Sequence, residues 1–208
     1  MARNTIARSL HDIGLAAWFG GSLMGAVGVN GAAADVDDPT QRARVANAGW
    51  ARWTPVNAAA IGAHLAGGAV IWRVNRHRVR GQKGVAASSF TKLALTGAAL
   101  GLTAWSRAAG QQVMSHGDVP VAGGTDPLPS TPPEVAKAQK QLKTLQWAIP
   151  AVTGAMLVLN ALEGEQQRPS EVSRGVLGRA GQVGTAGLFG SAAGAGLGGK
   201  KVKDALAA

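Results

Sequence analysis

The chain contains no cysteine and no tyrosine, and only 4% of its 208 residues are aromatic. Without thiols there is no disulfide scaffold, thiolate metal site, iron–sulfur cluster or cysteine nucleophile. Charge is also scarce: Asp, Glu, Lys and Arg make up 15% of the chain, against roughly 25% in a soluble domain. The charge that remains is one-sided, with 21 Lys plus Arg against 11 Asp plus Glu and a formal net charge of +10. Catalytic signatures are missing too. No HExxH, Walker loop, GxSxG or dinucleotide fingerprint occurs, and no pair of carboxylates shares a plausible pocket. The reading is therefore of a chain with no catalytic residues, no cofactor and no metal site.

What is abundant is uncharged length. Ile13–Ala34 runs 22 residues without a charge, Thr54–Trp72 and Thr144–Leu162 run 19 each, and Leu93–Ser106 runs 14. A helix crossing hydrocarbon needs about 20 mainly apolar residues. The Leu93 run reaches that length through Phe90 and Thr91 if Lys92 snorkels its ammonium to the interface. Tryptophan agrees with this division. Trp50, Trp53, Trp72, Trp105 and Trp147 fall at the ends of these runs, where an amphipathic ring suits the headgroup level, and only Trp18 lies inside one.

The sequence thus predicts an all-α fold. It is a four-transmembrane-helix bundle with short amphipathic outer helices and a Gly-rich C-terminal tail. Residues 1–165 form the membrane domain, with spans near 10–34, 54–75, 90–108 and 144–163. Residues 166–208 form a basic tail, in which 180–199 is long enough for a fifth hydrophobic segment. Arg3 and Arg8 before a run ending in Ala32-Ala33-Ala34 resemble a signal peptide, but the run exceeds the usual 7–15-residue apolar region, so a retained first helix is expected.

Basic residues then set the orientation. Fourteen of the 21 lie in the N-terminus, the second connection and the tail, which places both termini in the cytoplasm of a multi-pass inner (plasma) membrane protein. The same placement argues against a nucleic-acid partner. The lipid bilayer and other membrane subunits are the expected partners, with anionic lipid at the basic connection.

The outer connections carry helix signals. Asp38-Pro39-Thr40 reads as a start of a short amphipathic helix, Thr54-Pro55 as a second start, and Thr131-Pro132-Pro133-Glu134 as a capping box. The helix after Glu134 either lies on the membrane surface or runs into the fourth span.

Candidate functional groups are few. Ionisable residues inside spans are functional candidates by default, and these are His11, Asp12 and His64. His64 sits midway along its span, whereas His11 is placed near a boundary, roughly 18 Å from the middle of its helix at 1.5 Å per residue. That separation argues against a bis-histidine haem, and no acid is expected within the membrane beside His64. His116-Gly117-Asp118 supplies two ligand types without a third. Helix packing is assigned to small residues. Gly21 and Gly25 form one GxxxG pair, Gly97 and Gly101 another, and Gly62 lies in an Ala58–Gly62–Ala66 stripe beside Ala59–Ala63–Gly67. Four thin helices are expected to enclose little cavity.

The segment His11-Asp12-Ile13-Gly14 followed by Trp18-Phe19-Gly20-Gly21 resembles small multi-pass inner-membrane proteins of high-GC actinobacteria. The resemblance implies a membrane fold and carries no activity with it. The expected role is a non-catalytic accessory or stabilising subunit of a larger membrane complex. The alternative is a small transporter or proton/quinone-handling protein using His64, His11 and Asp12.

Overall fold

The computed structural model describes residues 4–81 and 84–165, together with a few positions between 168 and 177. The Gly-rich tail and the 180–199 segment lie outside the described residues. The described chain is all-α, with four long helices. Helix α1 spans Thr5–Ala34, α2 Arg42–Gly81, α3 Val85–Met114 and α4 Pro133–Glu165. Each contains a stretch long and apolar enough to cross a membrane. The outer surface agrees with that: Ile6, Ile13, Leu93 and Val158 are each more than 60% exposed, an apolar exterior that a soluble monomer would not tolerate over so large an area.

Two helical hairpins make the bundle. A turn through residues 35–41 folds α2 back along α1, and residues 115–132 return α4 along α3. The hairpins then pack α1 against α4, and α2 more thinly against α3. Leu15, Trp18, Ala99, Ile149 and Met156 form the central core. A second core of Ala43, Val113, Val121, Val135 and Ala138 lies at the end of the bundle that carries the two hairpin connections, called the cap end below.

Two sequence expectations, the second helix start at Thr54-Pro55 and the Thr131 cap, change here. The amphipathic segment after Pro39 and the second span are a single 40-residue helix, with Pro55 inside it. Proline removes the backbone donor that would reach the Ala51 carbonyl, and nearby side chains bond other carbonyls of that stretch. Thr54 Oγ1 donates to the Trp50 carbonyl at 2.9 Å and Arg52 to the Ala48 carbonyl at 3.2 Å. The helix opening at Pro133 runs into the fourth span, the second of its two expected courses, and continues through Pro150 to Glu165 as one element. Thr131 does not cap it. Its hydroxyl donates to the Pro120 carbonyl at 2.7 Å and accepts from the Leu128 N–H at 2.8 Å, which fastens the connection instead.

That connection is irregular but firmly held. Buried Gln139 donates to the carbonyls of Gly123 and Gly124 at 2.9 and 3.3 Å. Arg42 reaches from α2 to the carbonyls of Val36 at 2.7 Å and Ala122 at 3.2 Å. Lys143 pairs with Asp126 at 2.5 Å. In the short turn, Asp38 accepts from the Thr40 hydroxyl and N–H, and these bonds hold its carboxyl below the usual carboxylate range.

Helix α1 has one irregularity. Gly25–Val29 is a π-helical turn between α-helical Thr5–Met24 and Asn30–Ala34. Such turns insert one extra residue into the helical path. Beyond it, Asn30 accepts from Trp50 Nε1 at 3.1 Å and donates to Gln146 Oε1 at 2.5 Å, tying α1, α2 and α4 together near the cap end.

Candidate functional site

The α1–α2 register follows from the short turn, because residues equally far from it along the two helices come to face each other. Glycines make this approach possible. A Cβ at Gly25 would strike the Trp50 ring, and one at Gly21 the Trp53 ring. A Cβ at Gly14 would strike the Ala60 carbonyl oxygen and lie 2.6 Å from the His64 nitrogen. At Gly67 it would strike the Ala7 carbonyl oxygen and lie 2.6 Å from the His11 nitrogen. Gly62, Gly97 and Gly101, by contrast, have nothing within 4 Å of such an atom. Small-residue spacing is the same in both sets, so the GxxxG pattern alone does not distinguish them.

Where Gly14 and Gly67 bring the backbones together, His11 and His64 meet. Their rings stack with centroids 4.0 Å apart and planes 18° from parallel. His11 Nδ1 donates to the His64 carbonyl at 2.8 Å, and His64 Nδ1 to the His11 carbonyl at 2.9 Å. The expected separation in depth therefore does not hold. It assumed that helices begin where charge-free runs begin, whereas α1 starts at Thr5 and α2 at Arg42. The two histidines lie at nearly equal distances from the turn.

This reciprocal arrangement sets one proton on each ring. A carbonyl oxygen only accepts, so each Nδ1 carries its proton, and in the neutral form of the ring Nε2 is then an acceptor. His11 is 6% exposed and its Nε2 is buried without a partner. Trp18 lies edge-on to His64, with centroids 6.4 Å apart, and its Nε1 donates to Thr103 Oγ1 on α3 at 3.2 Å. Asp12 is exposed and accepts from Asn160 Nδ2 on α4 at 2.9 Å, so its hydrogen bond is to α4 and not to the histidine pair.

Both histidines line a cavity of about 520 Å³ between α2 and α3. Lys92 and Glu163 line it as well, and they form an ion pair of 2.8 Å with side chains only 14% and 22% exposed. Lys92 thus turns to Glu163 rather than snorkelling outward, and an acid lines the same cavity as His64. The unpaired lysine of α3 was the available signal for it: a cation within an apolar run needs a partner. Asn75, Ser89 and Thr96 add polar groups, while exposed Leu65, Trp72 and Leu93 mark where the cavity opens on the flank of the bundle.

No protein-family model, curated protein or solved structure matches the chain. Its chemistry is therefore read from its own geometry. Among the described residues no group of three or more His, Cys, Asp or Glu side chains is placed to hold a metal ion. His116 instead pairs with Glu134 at 3.2 Å and bonds the Gln112 carbonyl at 2.9 Å. The Gln112 carbonyl, then the Glu134 carboxylate, push its pKa above the usual histidine value.

A second cavity, of about 340 Å³, lies further toward the cap end of the same α2–α3 seam. Trp50, Trp53, Asn57 and Arg107 are in its lining, and the buried Trp53 Nε1 and Asn57 Oδ1 have no hydrogen-bond partner.

Proposed function

We propose that the protein is an integral plasma-membrane protein that binds a bilayer-resident amphiphile, holding its polar head against the His11–His64 pair. The observation that carries this reading is a cavity lined by His11 and His64 with exposed apolar residues at its rim, beside which His11 Nε2 is buried without a hydrogen-bond partner. An unmade hydrogen bond in an apolar setting is costly, and a ligand hydroxyl or ammonium would make it. The ligand class is therefore an amphiphile whose head donates hydrogen bonds, such as a quinol or a hydroxylated lipid. Its chain would leave sideways past Leu65, Trp72 and Leu93. This supports the transport or quinone-handling alternative over a purely structural role for the histidines.

We take both termini to be cytoplasmic: the positive-inside rule supports it, since the start of α1 and the arginine-rich end of α2 share one end of the bundle. Arg73, Arg76 and Arg80 there are exposed and suited to anionic headgroups.

The test uses the purified full chain in detergent, with tryptophan fluorescence as the reporter, since Trp18 touches His64 and Trp72 lines the cavity. A long-chain alkyl hydroquinone should quench saturably. His11→Phe keeps an aromatic ring and removes both nitrogens, and it should abolish the saturable component. Equal quenching in wild type and His11→Phe overturns the reading.

The accessory-subunit reading draws on a different observation. Gly97 and Gly101 lie on an uncovered strip of α3 beside exposed Ala94 and Ala98, where another helix could approach closely. Because the chain lacks cysteine, Gly101→Cys gives a single crosslinking site. A discrete heteromeric adduct in native membranes supports that role, and none removes it.

A further inference from the structure

The two cavities lie end to end. On α2, Ile61 lines the cap-end cavity and His64 the other. On α3, Leu100 and Thr96 divide in the same way. Three and four residues are about one helical turn, roughly 5 Å along an axis. The α2–α3 seam is thus a groove interrupted by a waist one turn thick, with Trp18 behind it, bonded to Thr103 and edge-on to His64. Exposed residues line both cavities, Leu65 and Leu93 in one and Ala58 and Ala104 in the other, so both open on the same flank.

Polar groups continue across the waist. On one side are His11 Nε2 and the Lys92–Glu163 pair. On the other are the unpartnered Asn57 Oδ1 and Trp53 Nε1, and Arg107, which makes no hydrogen bond or ion pair among the described residues. A guanidinium is a planar fork matched to phosphate oxygens. His11 Nε2 and Asn57 Oδ1, in contrast, need donors. A glycerophospholipid whose head joins a phosphate to hydroxyl or ammonium donors satisfies both requirements, and the bilayer presents it at each mouth of the groove.

We propose that the α2–α3 seam is a route along which the head of a donor-bearing glycerophospholipid crosses between leaflets, its acyl chains remaining in the bilayer and Trp18, Ile61 and Leu100 forming the gate. This rests on the reading that the seam accepts an amphiphile head. The physical basis is desolvation. A polar head crossing bare hydrocarbon loses its hydrogen bonds, whereas in the groove successive side chains replace them.

The experiment reconstitutes the full chain into vesicles containing acyl-chain-labelled phosphatidylglycerol and follows loss of label to an impermeant reductant. Transfer should run about tenfold or more above protein-free vesicles, equivalent to a barrier lowered by about 1.4 kcal/mol. Phosphatidylcholine, whose head has no donor, should transfer more slowly. Ala104→Trp fills the cap-end cavity and should lower the rate, and Leu100→Ala widens the waist and should raise it. No acceleration overturns the proposal, as does equal transfer of the two lipids or a rate that neither variant moves. Absent transfer with the saturable hydroquinone quenching intact removes the route and leaves the binding site standing. Absence of both removes both.

Discussion

Helix α2 has two neighbours, and it meets them in opposite ways. Against α1 it is interlocked: glycines on one helix receive rings and backbone from the other, and two histidines exchange hydrogen bonds across the contact. Against α3 it is barely joined, and cavities of about 520 and 340 Å³ occupy the seam. In lipid, where apolar surface gains little by leaving its surroundings, close backbone approach and interhelical hydrogen bonds are what hold helices together. The α1–α2 contact has both. The α2–α3 seam has polar groups without the close approach, which is an arrangement for holding something other than a helix.

This contrast can be broken by substitution. The largest effect is expected at Gly14 and Gly67, where valine would enter the partner backbone. Either variant should cost about 3 kcal/mol or more by overpacking, and a thermal midpoint in detergent equal to wild type would sink the idea of an interlocked pair. Next is Glu163→Leu. It strands the largely buried Lys92 ammonium, so a loss of about 3–5 kcal/mol is expected, most of it restored by adding Lys92→Met. A denaturation double-mutant cycle measures this, and additive losses would show that the pair is not coupled.

Smaller effects sharpen the comparison. Gly97→Ala and Gly101→Ala add a methyl group into open space and should change stability by no more than about 1 kcal/mol, alanine being the better helix former. A larger loss would mean that this strip is packed. Least of all is the exposed His116–Glu134 contact at the cap end. The folded pKa of His116 is raised, so its stabilising contribution is complete below the ordinary histidine pKa and disappears as pH rises through the raised value. Glu134→Gln should lower that pKa partway, the Gln112 carbonyl still holding it up, as a histidine NMR titration would register.

Fold class was legible because hydrocarbon imposes a length, and four uncharged runs meet it. Boundaries were less so. Charges bound the apolar runs, but helices continue past them: α2 begins at Arg42, well before Thr54, and carries Pro55 inside it. The histidine pair was hidden by that same error, since its members come together only when the hairpin is folded from the 35–41 turn. Glu163 was hidden differently. It stands at the end of an apolar run, and only α3–α4 packing brings it to Lys92. Of the five glycines assigned to packing, Gly21 and Gly25 face tryptophans and three face open space. Local spacing cannot reveal which face of a helix has a neighbour.

The reciprocal histidine bonds also bear on how the chain is made. A lone helix carrying His11 or His64 into lipid would expose an imidazole N–H with nothing to accept it. Entering as a hairpin, α1 and α2 each supply the acceptor the other needs, and both emerge from the ribosome before α3 does. Insertion of the two helices as a pair would therefore spare both imidazoles an unpaired N–H in lipid.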